Sequence, residues 1–254
     1  MPARPLITVR GQGPDLVLVH GWAMASGAWG ACADELAKGW RLHLVDLPGH
    51  GGAPGGAWTL EELVNLLLDR TPPAAWLGWS LGGTLALAAA MRAPAQVQAL
   101  VLLTATPRFV ANDDWPAGMD AGVFERFAAD FARDPQATVR RFKTLVAGGV
   151  EHPARLLRDL RELAPACPEA LACGLSLLRD VDFVDALPGL RQAALWIAGG
   201  GDQLTPAAAS IAAAARMPRG RSFIIDGAGH APQLSHPLEV VALVNDFLVA
   251  EAAA

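Results

Sequence analysis

The chain has 254 residues, 52% of them hydrophobic and 18% charged, with a formal net charge of −5. That length suits one α/β domain with room for an insertion, and the acidic balance argues against general nucleic-acid binding. The cysteines, Cys32, Cys167 and Cys173, are odd in number and form no C-x-x-C pair, which points to reduced thiols in the cytoplasm and away from a disulfide framework.

The first residues, Met1-Pro2-Ala3-Arg4-Pro5, are followed by no apolar signal core. Residues 6–9 read as a strand, and Gly11-Gln12-Gly13 as a turn. Residues 15–21 form a buried strand running into a glycine loop. Apolar spacing predicts a helix over residues 29–38, a strand over 41–46 and a helix over 60–68. Residues 74–77 make a short apolar strand, and the Ala/Leu-rich stretch 84–91 a helix stopped by Pro94. The uncharged stretch 71–91 is long enough to span a bilayer. It opens with Pro72-Pro73, however, and is interrupted by Gly78, Ser80, Gly82 and Gly83, so a buried strand, turn and helix is expected instead, with no membrane partner. Residues 99–104 are nearly all apolar, as a parallel strand covered on both faces should be. Strands alternating with helices imply right-handed βαβ units and a parallel sheet.

The rhythm then breaks. Between about residues 107 and 188 no convincing buried strand occurs. Amphipathic helices are predicted at 124–131, 137–146, 153–163 and 169–178, punctuated by Pro116, Pro135, Pro153, Pro165 and Pro168. This stretch reads as a helical cap lying over the carboxyl edge of the sheet, where ligands bind in open α/β folds. A strand returns at 194–198, then a helix at 205–215, a strand at 222–225 and a final helix at 237–250. The expected organisation is a core of residues 1–107 and 187–254 with a cap of residues 108–186.

The chemistry centres on Gly78-Trp79-Ser80-Leu81-Gly82, a G-x-S-x-G sequence between a predicted strand and a predicted helix. A sharp strand-to-helix turn strains the middle residue and lifts its hydroxyl clear, and a Cβ at Gly78 or Gly82 would collide with the neighbouring chain. The helix N-terminus then lies beneath Ser80, with the Leu81 N–H aimed where an oxyanion would form. A serine hydroxyl needs a base, and the base an orienting acid. Asp202 and His230 both follow predicted strands, so both lie on the rim that carries Ser80. An N-cap role is the alternative for Asp202, but Thr205 followed by Pro206 suits that role better. Asp180 and Asp182 remain alternatives as the acid, while Asp226 is too close in sequence to reach His230. Of the other histidines, His20 is expected to brace the glycine loop and His236 to be solvated; His43, His50 and His152 have no catalytic context. The second oxyanion donor is expected from the Trp22 N–H, directly after a core strand. The Trp22 side chain either walls an acyl pocket or simply packs. No metal site is expected, since the histidines are scattered, and no phosphate-binding glycine loop supports a nucleotide cofactor. Arg140, Arg141, Lys143, Arg155, Arg158 and Arg161 are opposed nearby only by Glu151 and Asp159. They make either an anion-steering patch or a solvated helix face.

His20-Gly21-Trp22, Asp46-Leu47-Pro48-Gly49-His50-Gly51, Gly78-Trp79-Ser80-Leu81-Gly82-Gly83, Asp202 and Gly229-His230 together resemble the α/β-hydrolase superfamily over nearly the whole chain. The H-G-W and G-W-S-L-G-G segments are most similar to the BioH-type pimeloyl-[acyl-carrier protein] methyl ester esterases of biotin synthesis. The resemblance implies a mostly parallel sheet flanked by helices, an inserted cap, and a cytoplasmic serine esterase acting without a cofactor. It implies a Ser80, Asp202 and His230 triad, with Trp22 and Leu81 at the oxyanion hole. It also implies a substrate-lining stretch of Phe142, Lys143, Thr144, Leu145 and Val146. An acidic acyl carrier protein would give Arg140, Arg141, Arg155 and Arg158 a docking role, and the esterase itself is expected to be a monomer. A C–C bond hydrolase, lactonase or perhydrolase would keep the triad and change the substrate. A hydrolase-fold ligand receptor would keep the fold without the turnover. A dehalogenase or epoxide hydrolase is disfavoured, because those resemble this fold with Asp where Ser80 stands.

Overall fold

One sheet organises the computed structural model, which describes residues 3–253. Its strands are β1 (Leu6–Arg10), β2 (Asp15–Val19), β3 (Arg41–Asp46), β4 (Ala74–Trp79), β5 (Val97–Leu103), β6 (Ala193–Gly199) and β7 (Gly220–Ile225), in the spatial order β1-β3-β2-β4-β5-β6-β7. Only β1 runs antiparallel, against β3; the other pairings are parallel. The central strands are apolar because both their faces are covered: Leu16, Val17, Leu18 and Val19 are all 0% exposed. Full burial of each such side chain contributes about 1.5–3 kcal/mol.

Helices α1 (Gly30–Leu36), α2 (Leu60–Leu68), α3 (Leu81–Arg92), α8 (Ala207–Arg216), α9 (Pro232–Ser235) and α10 (Pro237–Ala252) flank the sheet. α2 starts at a capping box, in which Thr59 Oγ1 accepts from the Glu62 N–H and the Glu62 carboxylate accepts from the Thr59 N–H. α3 is buried from Leu81 to Ala90 and is apolar all round, as a helix without a solvent face should be. Between β5 and β6 lie α4 (Ala121–Arg133), α5 (Pro135–Val146), α6 (Pro153–Glu162) and α7 (Pro168–Asp180). Three of these four begin with proline at the first helical turn, where a missing N–H costs nothing. The predicted elements agree with these to within a few residues. The short α9 and the 3₁₀ turns at Ser26–Trp29 and Val184–Gly189 have no periodic signature and went unpredicted. Among the described residues no helix is long and apolar enough to cross a membrane; the uncharged stretch forms β4, the turn and α3.

Parallel registration aligns the carboxyl ends of the strands. Val19 of β2 pairs with Gly78 of β4, Leu103 of β5 with Ile197 of β6, and Gly199 of β6 with Ile225 of β7. Trp22, Ser80, Asp202 and His230 therefore all emerge from loops on one rim.

Candidate active site

Ser80 sits between β4 and α3 at φ 53° and ψ −116°, in the left-handed region that a serine rarely occupies. The surrounding chain enforces this conformation. The Ser80 N–H donates to Leu103 O at 2.9 Å, and the Ser80 carbonyl accepts from the Gly83 N–H at 2.8 Å. The turn is as tight as the motif requires. A Cβ on Gly78 would lie 2.4 Å from Gly82 O, and one on Gly82 would lie 2.1 Å from Val19 O.

The Ser80 hydroxyl lies 3.0 Å from His230 Nε2, and His230 Nδ1 lies 2.8 Å from Asp202 Oδ2. The carboxylate can only accept, so the proton belongs on Nδ1, leaving Nε2 to accept from the serine. The other Asp202 oxygen accepts from the N–H groups of Leu204 (2.8 Å) and Thr205 (3.1 Å), which fixes the carboxylate plane. This corrects the expected capping assignment. α8 is capped at Pro206, and the Thr205 hydroxyl finds no hydrogen-bond partner among the described residues. Asp202 orients the histidine and satisfies the loop backbone at once. The rival acids are engaged elsewhere, Asp182 with Arg108 and Asp180 with Arg179.

Two buried donors hold the histidine from behind. Trp79 Nε1–H donates to His230 O at 2.7 Å, and Thr104 Oγ1–H donates to the same carbonyl at 2.9 Å. Neither was expected from the sequence. The N–H groups of Trp22 and Leu81 have no acceptor among the described residues. Leu81 opens α3, so the helix dipole adds to its N–H. Gly21 permits the loop's approach: a Cβ there would lie 3.3 Å from Ser80 Cβ. The arrangement supplies a base-activated hydroxyl and two free backbone donors, which suits acyl transfer.

His20 braces the glycine loop as expected. Its Nδ1–H donates to Gly21 O at 2.8 Å, and its Nε2 accepts from the Leu47 N–H at 3.1 Å. The His20 and His50 rings are 5.1 Å apart and both fully buried. Burial pushes His20 down to about 4 and, aided by repulsion from His20, pushes His50 down to about 3. His43 donates to Asp15 instead, and His152 is exposed. His236 was expected in solvent but is half-buried, with Nδ1 2.9 Å from Ser235 Oγ, because α9 folds back beside it. Cys32 is buried in the core, and burial pushes its thiol up to about 12.

The Trp22 indole reaches into the helical layer. Its Nε1–H donates to Leu171 O at 2.9 Å, and Phe127, Phe131 and Phe142 meet its ring edge-on at centroid distances of 5.6, 5.8 and 4.8 Å. One wall of an entirely apolar cavity is Trp22; Phe109, Phe124, Phe127, Phe142 and Leu145 form others. Phe142 and Leu145 thus come to the cavity. Their neighbours on α5 do not: Thr144 is exposed and its hydroxyl donates to Arg140 O, Val146 is fully buried in the core, and Lys143 lines a different cleft. The helical repeat forces this, since residues one or two apart leave a helix on different sides.

The expected basic patch is smaller than its residue count. Lys143 is only 7% exposed, Arg141 is held by Asp130 at 2.6 Å, and Arg158 approaches Asp159 at 3.6 Å. Arg140 and Arg155 are exposed and form no ion pair among the described residues.

A further contact joins the helical layer to the triad loops. The turn after α5 runs backbone to backbone against both. A Cβ on Gly149 (φ +72°) would lie 2.0 Å from Gly201 O, and one on Gly229 would lie 2.1 Å from Gly148 O.

The sequence profile of the alpha/beta hydrolase fold matches residues 14–237. The chain belongs to the α/β-hydrolase family. A pimeloyl-[acyl-carrier protein] methyl ester esterase of Xanthomonas campestris pv. campestris (strain B100) is 45% identical to this α/β-hydrolase over 250 residues, covering 96% of this chain and 98% of that one. A protein of the same description from Stenotrophomonas maltophilia is 44% identical over 248 residues, covering 95% of each chain. Among solved structures, an esterase from Exiguobacterium antarcticum superposes with a TM-score of 0.87 over 96% of this chain and 94% of its own, at 23% identity. That likeness supports the shared fold.

Proposed function

We propose that this α/β-hydrolase is a serine carboxylesterase that hydrolyses the methyl ester of pimeloyl-acyl-carrier protein in biotin synthesis. The observation that carries the reading is the continuous chain from Ser80 Oγ through His230 to Asp202, at 3.0 and 2.8 Å. It occurs in a protein 45% identical, over almost its whole length, to an esterase of that name.

His230 Nε2 takes the Ser80 proton as the hydroxyl oxygen adds to the ester carbonyl. The tetrahedral oxyanion rests on the N–H groups of Trp22 and Leu81, and losing one such donor costs about 3 kcal/mol. As the C–O bond to methoxide breaks, His230 returns its proton and methanol leaves. A water molecule then adds to the acyl-enzyme by the same route, giving the free carboxylate and regenerating Ser80. The Asp202 carboxylate stabilises the imidazolium in both halves. The apolar cavity beside Trp22 suits a methylene chain. Exposed Arg140 and Arg155, with Arg141 and Arg158, favour an acidic carrier through charge. Residues 108–186 act as the cap on a core made of 1–107 and 187–254, and the enzyme works as a cytoplasmic monomer.

The test is complementation of a biotin auxotroph lacking its methyl ester esterase, beside the same strain carrying Ser80→Ala. Growth with the wild-type chain alone supports the reading. No growth from a well-expressed wild type removes the pimeloyl substrate, and growth with Ser80→Ala removes the nucleophile.

A further inference from the structure

Gly174 stands in the middle of α7, where glycine weakens a helix and alanine would favour it. The space around it explains the residue. A Cβ on Gly174 would lie 2.7 Å from Trp22 Cδ1, 3.2 Å from Trp22 Nε1 and 3.4 Å from Leu81 Cδ2. One backbone position on α7 thus meets the side chains of both residues whose N–H groups stand free beside Ser80. The two contacts differ in kind. At 3.4 Å an added methyl would simply touch Leu81, whereas at 2.7 Å it would overlap the indole. The buried indole has little freedom to retreat. Its Nε1–H is tied to Leu171 O, and Phe127, Phe131 and Phe142 crowd the ring. α7 is itself fixed to the core. The Cys167 N–H at its start donates to Gly49 O at 2.8 Å, and Cys173 Sγ, next to Gly174, accepts from the Trp58 N–H at 3.4 Å. The loop that carries Trp22 is strained. Its Met24 N–H donates to Gly21 O at 3.3 Å, closing a turn in which Ala23 takes φ 58°. Alanine holds that conformation only where its surroundings impose it. The indole of the preceding residue, seated on α7, is one such constraint.

We propose that Gly174 is a positioning residue for the oxyanion site: by lacking a side chain it seats the Trp22 indole against α7, and the seated indole sets the direction of the Trp22 N–H. The assignment rests on the ester-hydrolysis reading above. Gly174 acts only through Trp22 and does not meet the oxyanion itself. A methyl at this position pushes the rigid ring off its seat, and the ring carries the turn and its N–H with it. A displaced donor weakens its bond to the oxyanion while the substrate still binds, so the loss falls on the transition state.

The experiment compares the wild type, Gly174→Ala, Trp22→Leu and the double variant on a small aryl ester. Leucine keeps the backbone N–H and an apolar side chain but has no rigid ring for the methyl to strike. Gly174→Ala alone is expected to lower kcat by about tenfold to a hundredfold with KM little changed. Its affinity for an aryl trifluoromethyl ketone, whose adduct with Ser80 carries an oxyanion, is expected to fall in step. In the Trp22→Leu background the same glycine substitution is expected to change kcat by less than about twofold. An unchanged kcat in Gly174→Ala, an equal loss in both backgrounds, or an unmoved ketone affinity overturns the assignment. If thermal melting shows that Gly174→Ala does not fold, Trp22→Leu and the double variant decide. Matched melting and kcat in those two support the contact, and a double variant that also fails to fold overturns it. Turnover by the wild type that is lost in Ser80→Ala tests the esterase reading by itself. With that turnover present, a failed Gly174 test removes the assignment and leaves the reading; with it absent, both fall.

Discussion

Acid should destabilise this protein through two histidines that catalysis does not use. His20 and His50 are buried neutral, with values pushed from 6.5 down to about 4 and about 3. In the unfolded chain both titrate near 6.5, so below that pH the unfolded state binds protons that the folded state refuses. The stability they allow is complete above about pH 6.5 and drains away as the pH falls toward 4. Each missing proton costs about 1.4 kcal/mol per pH unit. Between about pH 6.5 and 5 that is about 2 kcal/mol for each ring and about 4 kcal/mol together, a large share of a typical 5–15 kcal/mol. Asp15 does not confuse the measurement. Its hydrogen bond from Arg41 holds it at about 2, so its contribution fades only below its ordinary 3.8. Urea unfolding at about pH 7.5 and about pH 5 measures the difference, and His50→Asn should lose about half of it. A wild-type stability that changes by less than about 1 kcal/mol, or a pH dependence untouched by His50→Asn, refutes the reasoning. Activity follows a separate course. Folded His20 keeps Nε2 free to accept from Leu47 until about pH 4, so the glycine loop stays braced wherever the protein is folded.

Trp79→Phe keeps the ring and removes the donor to His230 O, leaving Thr104 alone on that carbonyl. Steady-state assays on a small aryl ester should show kcat down by about tenfold to a hundredfold with KM little changed, as for a lost positioning contact; an unchanged kcat refutes the role. Gly149→Ala forces a Cβ to within 2.0 Å of Gly201 O at φ +72°, whereas a Cβ on Gly39 meets nothing within 4 Å. Thermal melting and kcat should both fall in the first variant and barely move in Gly39→Ala, and equal behaviour of the two would show that the turn yields freely.

The core and the meeting of Ser80, Asp202 and His230 were legible because both follow rules that act locally. A short apolar run such as 99–104 suits a strand covered on both faces, and the order of strands and helices then sends Ser80, Asp202 and His230 to one rim. The G-x-S-x-G spacing reads as an elbow because close approach at Gly78 and Gly82 excludes every other residue. What could not be read depends on contacts between distant segments. Nothing in α5 alone says that Phe142 and Leu145 meet the cavity while Lys143 turns to a separate cleft, since that is set by the rotation of the helix against α4 and α7. Thr205 looked like a cap because its local sequence favours one, yet Asp202 already accepts from the Leu204 and Thr205 N–H groups. The basic patch shrank for the same reason: Asp130, on another helix, claims Arg141.

The helical layer between β5 and β6 is tied to the loops around Ser80. It reaches the loops of Trp22, Asp202 and His230, and Gly174 of α7 lies against the Leu81 side chain, where a Cβ would be 3.4 Å from Leu81 Cδ2. Leu171 O holds the Trp22 indole, Gly149 abuts the Asp202 loop at Gly201, and Gly148 abuts the His230 loop at Gly229. Glycine on glycine brings backbones together with no side chain to flex between them, so displacement of this turn is felt directly at the acid and the base. The elbow, by contrast, is fixed from beneath by Leu103 and by its own helix. The nucleophile is therefore a property of the sheet, whereas the geometry of its partners is shared with the layer above. A substrate that engages α5 meets the same helical layer whose turn abuts the Asp202 and His230 loops.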